Sequence, residues 1–270
     1  MRFVSKVVMV LLSMFFCLGL NTGYASSVYT DLFDFAGANG SQPAAALTLN
    51  GGVFYGTAQA GGASGAGVIF AFDPSSSTYT VVHDFTGGLG GTNPGAELAL
   101  SGGVFYGTTV LGGLFNNGLI FSFDPSSSTY TSVHSFAIGG AGGVNPLAGL
   151  TLNGGVFYGT TFNGGTFASG VIYSFNPSGS IFAVVHNFDG TNGSNPQAEL
   201  ILSGGVFYGT TLNGGTNNKG VIYSFDPSSS TYTVVHNFDS ANGANPQAGL
   251  TLSSGVFYGT TQSGGTATTG

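Results

Sequence analysis

The word Val-Phe-Tyr-Gly-Thr begins at Val53, Val104, Val156, Val206 and Val256, so it returns every 50 to 52 residues. A period that regular comes from one supersecondary unit stacked on copies of itself, each burying a face that its neighbour leaves open. It also dilutes any search for an active site, because most residues with chemical character recur in equivalent places.

The copy from Ala96 to Phe136 shows what the unit is. Ala96-Glu97-Leu98-Ala99-Leu100 is short and apolar and ends at the turn signal Ser101-Gly102-Gly103. Val104 to Thr109 follows, rich in β-formers, then a glycine-rich loop to Gly118. Leu119 to Phe123 leads to the turn Asp124-Pro125-Ser126-Ser127-Ser128, and Thr129 to Phe136 runs into a loop containing Asn-Pro. Four such runs, each bounded by Gly, Pro, Asn or Ser, read as antiparallel strands a, b, c and d. No segment carries an apolar period of 3.6, so no helix is expected. Phe121 and Phe123 fall on one face of strand c and Ile120 on the other, as a sheet buried on both faces requires. The pattern predicts an all-β fold: a β-propeller of four-stranded antiparallel blades, about five in number, the last one incomplete. A stacked solenoid is the competing architecture.

Two resemblances rest on these residues. Gly-Gly-Val-Phe-Tyr-Gly-Thr, then Phe-Asp-Pro, then an aromatic five residues past that proline, resembles the kelch blade. Tyr79, Tyr130, Phe182 and Tyr232 stand where kelch has Trp, and the kelch diglycine closing strand b is absent. From about Val28 to Gly270 the chain is more similar to the GloVer (Gloeo/Verruco) repeat of secreted bacterial proteins. Its units read much like Tyr-Gly-Thr-Thr, Gly-Gly, Gly-Val-Ile, Phe-Asp-Pro, His-x-Phe and Asn-Pro-x-Ala. That resemblance implies a secreted or surface repeat protein and no particular reaction.

The ends do not coincide with repeat boundaries. Residues 28–35 align with an orphan strand d, repeats run from residue 44, and residues 244–270 supply strands a and b of a partial last repeat. Propellers close by pairing an N-terminal strand into the last blade, which removes an open sheet edge. Residues 28–35 are therefore expected beside the C-terminal unit. Strand c of that unit is wanting, because Gly270 stands where Gly-Val-Ile-Tyr would begin; a truncated gene product is the favoured explanation. Ahead of the repeats, Arg2 and Lys6, the apolar run Val7 to Leu20 and the small residues around Ala25 read as a signal peptide, residues 1–25. The run is shorter than the roughly 20 residues that span a bilayer. Residues 26–270 are then the propeller domain of a secreted or cell-surface protein, with no transmembrane segment.

Cleavage removes Arg2 and Lys6 from the three basic residues, leaving Lys219 against ten carboxylates, a formal charge of −9. Nucleic acid is an implausible partner, since that binding rests on Lys and Arg neutralising phosphates. The single cysteine, Cys17, also lies in the cleaved segment, so disulfides, thiolate metal sites and a cysteine nucleophile are excluded from the mature chain.

Candidate chemical residues are few. His83, His134, His186 and His236 share one repeat position, which the orphan strand fills with Phe33. A metal ring is unexpected, because packed sheets lie about 10 Å apart; a structural role bridging a strand edge or loop is expected. Asp73, Asp124 and Asp226, each before Pro, read as turn residues. No metal or other cofactor and no catalytic residue is assigned. Glu97 and Glu199 open strand a in alternate blades, where other copies have Ala46, Gly149 and Gly249. Strand a is innermost, so both glutamates are expected at the mouth of the central channel.

The b–c loops vary most between copies, and scaffold positions in repeats stay alike while partner-binding loops vary. The ligand-binding residues expected on the face of the b–c and d–a loops are Phe115, Phe167, Asn117, Asn217, Glu97 and Glu199. The expected protein is a monomeric, non-enzymatic propeller binding an extracellular glycan, a matrix component or a surface protein. A carbohydrate-active enzyme using the paired carboxylates, and a purely architectural surface module, are the alternatives.

Overall fold

The structure is a computed structural model and describes residues 6–10, 29–137 and 141–266. Strand β1 (Lys6–Val10) pairs antiparallel with β2 (Tyr29–Asp34). Blade 1 is β3 (Thr48–Asn50), β4 (Val53–Ala58), β5 (Val68–Asp73) and β6 (Thr78–Asp84). Blade 2 is β7 (Ala99–Ser101), β8 (Val104–Thr109), β9 (Leu119–Asp124) and β10 (Thr129–Ser135). Blade 3 is β11 (Thr151–Asn153), β12 (Val156–Thr161), β13 (Val171–Asn176) and β14 (Ile181–Asn187). Blade 4 is β15 (Ile201–Ser203), β16 (Val206–Thr211), β17 (Val221–Asp226) and β18 (Thr231–Asn237). A half-blade of β19 (Thr251–Ser253) and β20 (Val256–Tyr258) follows. The strands of each blade pair in sequence order, and the inner strands β3, β7, β11 and β15 touch in succession. This is a β-propeller of four-stranded antiparallel blades with an incomplete last blade.

The last four letters of the repeated word each have a packing reason. Phe and Tyr are adjacent on a strand, so they leave the sheet on opposite faces. Phe105, Phe157 and Phe207 look back and meet Tyr55, Tyr106 and Tyr158 of the preceding blade at 4.5 Å between ring centres. The glycine makes room for a strand-c ring: a β carbon at Gly209 would lie 2.5 Å from the Tyr223 hydroxyl. The threonine hydroxyl reaches across to the next blade, Thr57 Oγ1 donating to Ala96 O at 3.0 Å and Thr108 Oγ1 to Ala148 O at 3.1 Å.

The core lies between blades. Ile172 and Phe188 of blade 3 pack with Leu200, Phe207, Val221, Tyr223 and Phe225 of blade 4, and the same set recurs one and two blades earlier. Phe121 and Phe123 face blade 1 while Ile120 faces blade 3, as the alternation predicts.

The N-terminal strand departs from expectation. It does not join the C-terminal unit: β2 pairs with β1, and β19–β20 is a separate two-stranded sheet. Face packing decides its place. Phe33 stacks on Tyr79 at 3.7 Å, and Phe35 meets Phe70 edge-on at 5.2 Å, so β2 sits against blade 1 as strand d of a preceding blade would. Its partner β1 falls within the segment expected to be cleaved; the cleavage point after Ala25 lies outside the described residues. Strand a is also shorter than the five-residue run Ala96–Leu100 suggests. The carbonyls of Ala96 and Leu98 accept from Thr57 and Thr48 of blade 1 instead of joining the ladder, so Glu97 lies two residues ahead of β7.

Candidate functional site

The loop end of the propeller is knitted together before any side chain reaches solvent. Short antiparallel bridges join each d–a loop to the following b–c loop: Thr92 with Leu111, Val144 with Asn163, Ser194 with Asn213 and Ala244 with Ser263. The asparagines of three Asn-Pro pairs, Asn145, Asn195 and Asn245, then link successive blades. Asn163 Nδ2 donates to Asn145 Oδ1 at 3.3 Å, Asn195 Nδ2 to Asn163 Oδ1 at 3.3 Å and Asn213 Nδ2 to Asn195 Oδ1 at 3.2 Å. Asn245 Nδ2 donates to Asn213 Oδ1 at 3.3 Å, and the Ser263 hydroxyl to Asn245 Oδ1 at 3.3 Å. Asn145, Asn195 and Asn245 hold φ between 55° and 57°, a left-handed conformation that asparagine tolerates. Sequence reasoning overlooked this relay, although its signal was present in Asn-Pro recurring at the repeat period with Asn163 and Asn213 fifty residues apart.

Against that frame, Phe115 and Phe167 occupy equivalent positions in the b–c loops of blades 2 and 3 and stay 39% and 58% exposed. Rings of that size usually bury 150–250 Å², and the loop backbone beneath is already bonded. The side-chain amides of Asn117 and Asn217 donate back to Ala137 O at 2.8 Å and Phe238 O at 3.2 Å, tying each loop to the end of its own strand d. They hold the loop that presents the surface, because an amide two bonds from the backbone finds a carbonyl before it finds a partner.

Glu199 reaches toward Glu97 across Gly149. A β carbon at Gly149 would lie 2.7 Å from Glu199 Oε2 and 3.4 Å from Glu97 O, so the Glu199 carboxyl lies over the intervening blade. Burial, and then the charge of Glu97, push Glu199 up to about 7; burial alone raises Glu97. The Thr151 hydroxyl donates to Leu200 O at 2.6 Å and lies 3.5 Å from Glu199 Oε1, a contact that lowers Glu199 and is outweighed by the other two causes. The pair can therefore hold one proton near neutrality.

Three of the four histidines pack between blades, beyond the strand-edge role expected of them. His83 stacks on Tyr130 at 3.9 Å, His134 on Phe182 at 3.9 Å and His186 on Tyr232 at 3.8 Å, all within 8° of parallel. Phe33 on Tyr79 is the same contact with a phenyl ring. Burial holds His186 down to about 4 and lowers His83 and His134. Asp73, Asp124 and Asp226 each accept from the backbone N–H two residues on, at 2.8 to 2.9 Å, and from two serine hydroxyls, which lowers their carboxyls.

Blades of this sequence, stacked through rings and stitched by asparagines, define a repeat β-propeller. The Gloeobacter/Verrucomicrobia repeat model matches residues 20–155 and 137–270, and the chain belongs to that family. A comparison with curated proteins finds no match. Among solved structures, the fold is similar to one in the nidogen/laminin complex, at 15% identity and a TM-score of 0.60, covering 96% of this chain and 82% of that one. It is similar to the extracellular domain of the putative one component system BT4673 from B. thetaiotaomicron, at 12% identity and a TM-score of 0.58, covering 90% of this chain and 28% of the other. The GH74 enzyme of Niastella koreensis is similar at 17% identity and a TM-score of 0.55, over 78% of this chain and 33% of the other. At these identities the likeness is one of fold.

Proposed function

We propose that this protein is a secreted or cell-surface propeller that binds an extracellular glycan or protein on its b–c and d–a loop face, without catalysing a reaction. The observation that carries the reading is the pair of exposed rings, Phe115 and Phe167, on loops whose backbone and amides are otherwise spent on the scaffold. An exposed aromatic on a rigid loop stacks on a sugar or anchors a protein at low entropic cost. Similar folds solved as the nidogen/laminin complex and as an extracellular domain support an extracellular setting. A glycan array probed with the exported protein tests the reading. Changing Phe115 and Phe167 together to Ala is expected to weaken the best-bound glycan at least tenfold, about 1.4 kcal/mol, with the melting temperature unchanged. Affinity lost only on altering the Asp-Pro turns at the opposite end would place the site on the wrong face.

The proposed address is testable separately. Exported protein is expected to begin at Ser26, within two residues, by N-terminal sequencing; a soluble cytoplasmic form retaining Met1 contradicts it.

A second reading is favoured by one observation, the coupled carboxyls of Glu97 and Glu199 with the latter raised to about 7. A carboxyl kept protonated beside an ionised one is the pairing used in glycoside hydrolysis. Polysaccharide hydrolysis by the natural chain, abolished in Glu97→Gln and Glu199→Gln, would replace the binding reading with an enzymatic one.

A further inference from the structure

Asn-Gly occurs eight times in the chain, and the fold sorts the eight pairs into two groups. In six of them the asparagine side chain is bonded. Asn39, Asn192 and Asn242 accept the backbone N–H three residues back at 2.8 to 3.1 Å, and Asn117 donates to Ala137 O at 2.8 Å. Asn163 and Asn213 belong to the relay between blades. Several of the glycines are held as well: Gly40, Gly118 and Gly193 donate their N–H to Gly37 O, Gly112 O and Gly190 O at 3.0 to 3.3 Å. The other two pairs, Asn50-Gly51 and Asn153-Gly154, are different. Neither asparagine side chain and neither glycine N–H has a hydrogen bond among the described residues.

Both free pairs occupy the same place in the repeat, the a–b turns of blades 1 and 3; other copies have Ser101, Ser203 and Ser253 there. Strands β3 and β11 are three residues long, and each ends in two glycines. Gly51 and Gly52 hold φ of 59° and 86°, and Gly154 and Gly155 of 58° and 83°, as a two-residue hairpin turn requires. A β carbon added at any of the four would meet nothing within 4 Å. No side chain or neighbouring loop covers these turns, so opening the turn is enough to let the Asn-Gly peptide plane rotate.

We propose that Asn50 and Asn153 are modification sites, deamidating spontaneously while the fold protects the other six asparagines. The nitrogen of Gly51 or Gly154 attacks the side-chain carbonyl carbon of the preceding asparagine. Its proton passes through solvent to the amide nitrogen, which leaves as ammonia, and a cyclic succinimide remains. Water then opens the ring. Breaking the bond from the glycine nitrogen to the side-chain carbonyl gives aspartate. Breaking its bond to the main-chain carbonyl gives iso-aspartate, with the chain running through the side-chain carbon. Water is the only co-reactant, and nothing is oxidised or reduced. A glycine nitrogen is the least shielded of nucleophiles here, and in these two turns neither reacting group must first give up a hydrogen bond. Iso-aspartate lengthens the main chain beside a turn whose register pairs Asn50 with Val53 and Asn153 with Val156. Two residues away, the hydroxyls of Thr48 and Thr151 donate to Leu98 O and Leu200 O of the next blade, so the inner seam is what this ageing disturbs.

The folded chain is aged in mildly alkaline buffer made with heavy-oxygen water, then digested with pepsin, whose acid halts the reaction. Mass spectrometry of the peptides, with fragmentation that separates aspartate from iso-aspartate, follows all eight sites. Asn50 and Asn153 are expected to convert at least about tenfold faster than the six bonded asparagines, which must first break one or two hydrogen bonds. Iso-aspartate is expected at both, with the label incorporated. In urea the eight rates are expected to converge, because the order is set by the fold. Asn50→Ser with Asn153→Ser, the residue other copies carry, is expected to abolish the fast conversion and leave the melting temperature unchanged. Conversion of Asn192 or Asn242 as fast as that of Asn50 in the folded chain overturns the proposal, and so does an order that urea leaves unchanged. Aspartate formed without iso-aspartate also overturns it, since the ring would then not have closed. None of these readouts involves Phe115 or Phe167, so this inference and the loop-face reading fail separately.

Discussion

Phe188→Ala is expected to destabilise the protein by about 3–5 kcal/mol, the range for removing a fully buried phenyl ring. Phe188 has no exposure and sits where blades 3 and 4 meet, edge-on to His186 at 5.2 Å, to Tyr223 at 5.3 Å and to Tyr232 at 5.8 Å. Deleting it removes a large apolar surface and undercuts the His186–Tyr232 stack at once. The stack alone is worth less: His186→Ala is expected to cost about 0.5–1.5 kcal/mol beyond the area it uncovers. Phe167→Ala, at an exposed position, should stay within about 0.5 kcal/mol of the natural chain. Urea denaturation of the three variants checks the order. In a repeat architecture stability is a sum of unit and interface terms, so a loss below about 1.5 kcal/mol for Phe188→Ala would mean that the ring interface does not hold these blades together.

How much of this was legible in the sequence depended on whether a feature is local to one blade. Strand number, turn positions and the two-faced alternation at Ile120 and Phe121 follow from period-2 patterning and were readable. The role of Asp124 as a turn residue was readable because its partners, Ser126 and Ser127, lie two and three positions away. Contacts between blades were harder. His134 and Phe182 are forty-eight residues apart, and nothing in either copy says that strand d of one blade is laid face to face on strand d of the next. The asparagine relay has the same character, since its amides bond residues 18 and 32 positions apart and so carry it from one repeat into the next. Glu97 and Glu199 stood out because they break the period, but the reach of Glu199 toward Glu97 depended on what the blade between them lacks. Gly149 has no side chain, and Glu199 takes that space. The strand from Tyr29 to Asp34 was assigned to the far end of the chain from a rule about closing rings; packing of Phe33 and Phe35 on blade 1 outweighed it.

The carboxyl pair gives the second large effect. In Glu199 the carboxyl stands at about 7 in the folded chain against an ordinary value of 4.5, raised first by burial and then by Glu97. A raised acid contributes stability that is whole below the unfolded value and is lost as pH climbs through the folded one. The loss therefore falls between about pH 4.5 and pH 7 and amounts to about 3 kcal/mol, at 1.36 kcal/mol per unit. Glu199→Gln keeps the shape and one side-chain oxygen but carries no charge, so it should match the natural chain near pH 4.5 and exceed it by about 2–3 kcal/mol at pH 8. In melting temperature that is about 2–4 °C for each kcal/mol in a chain of this size. His83, His134 and His186 act in the opposite direction: lowered by burial, their contribution is present above about pH 6.5 and is lost as acid protonates them. That term is common to both proteins and cancels in their difference, which makes the difference curve, and not either melting profile alone, the measurement to take. Glu97→Gln removes the second cause and should move the midpoint of the natural curve downward without abolishing it, since burial is the larger cause and remains. A difference curve flat from pH 4.5 to pH 8 would show that Glu199 is solvated at the channel mouth, and would remove the proton store on which the hydrolytic reading depends.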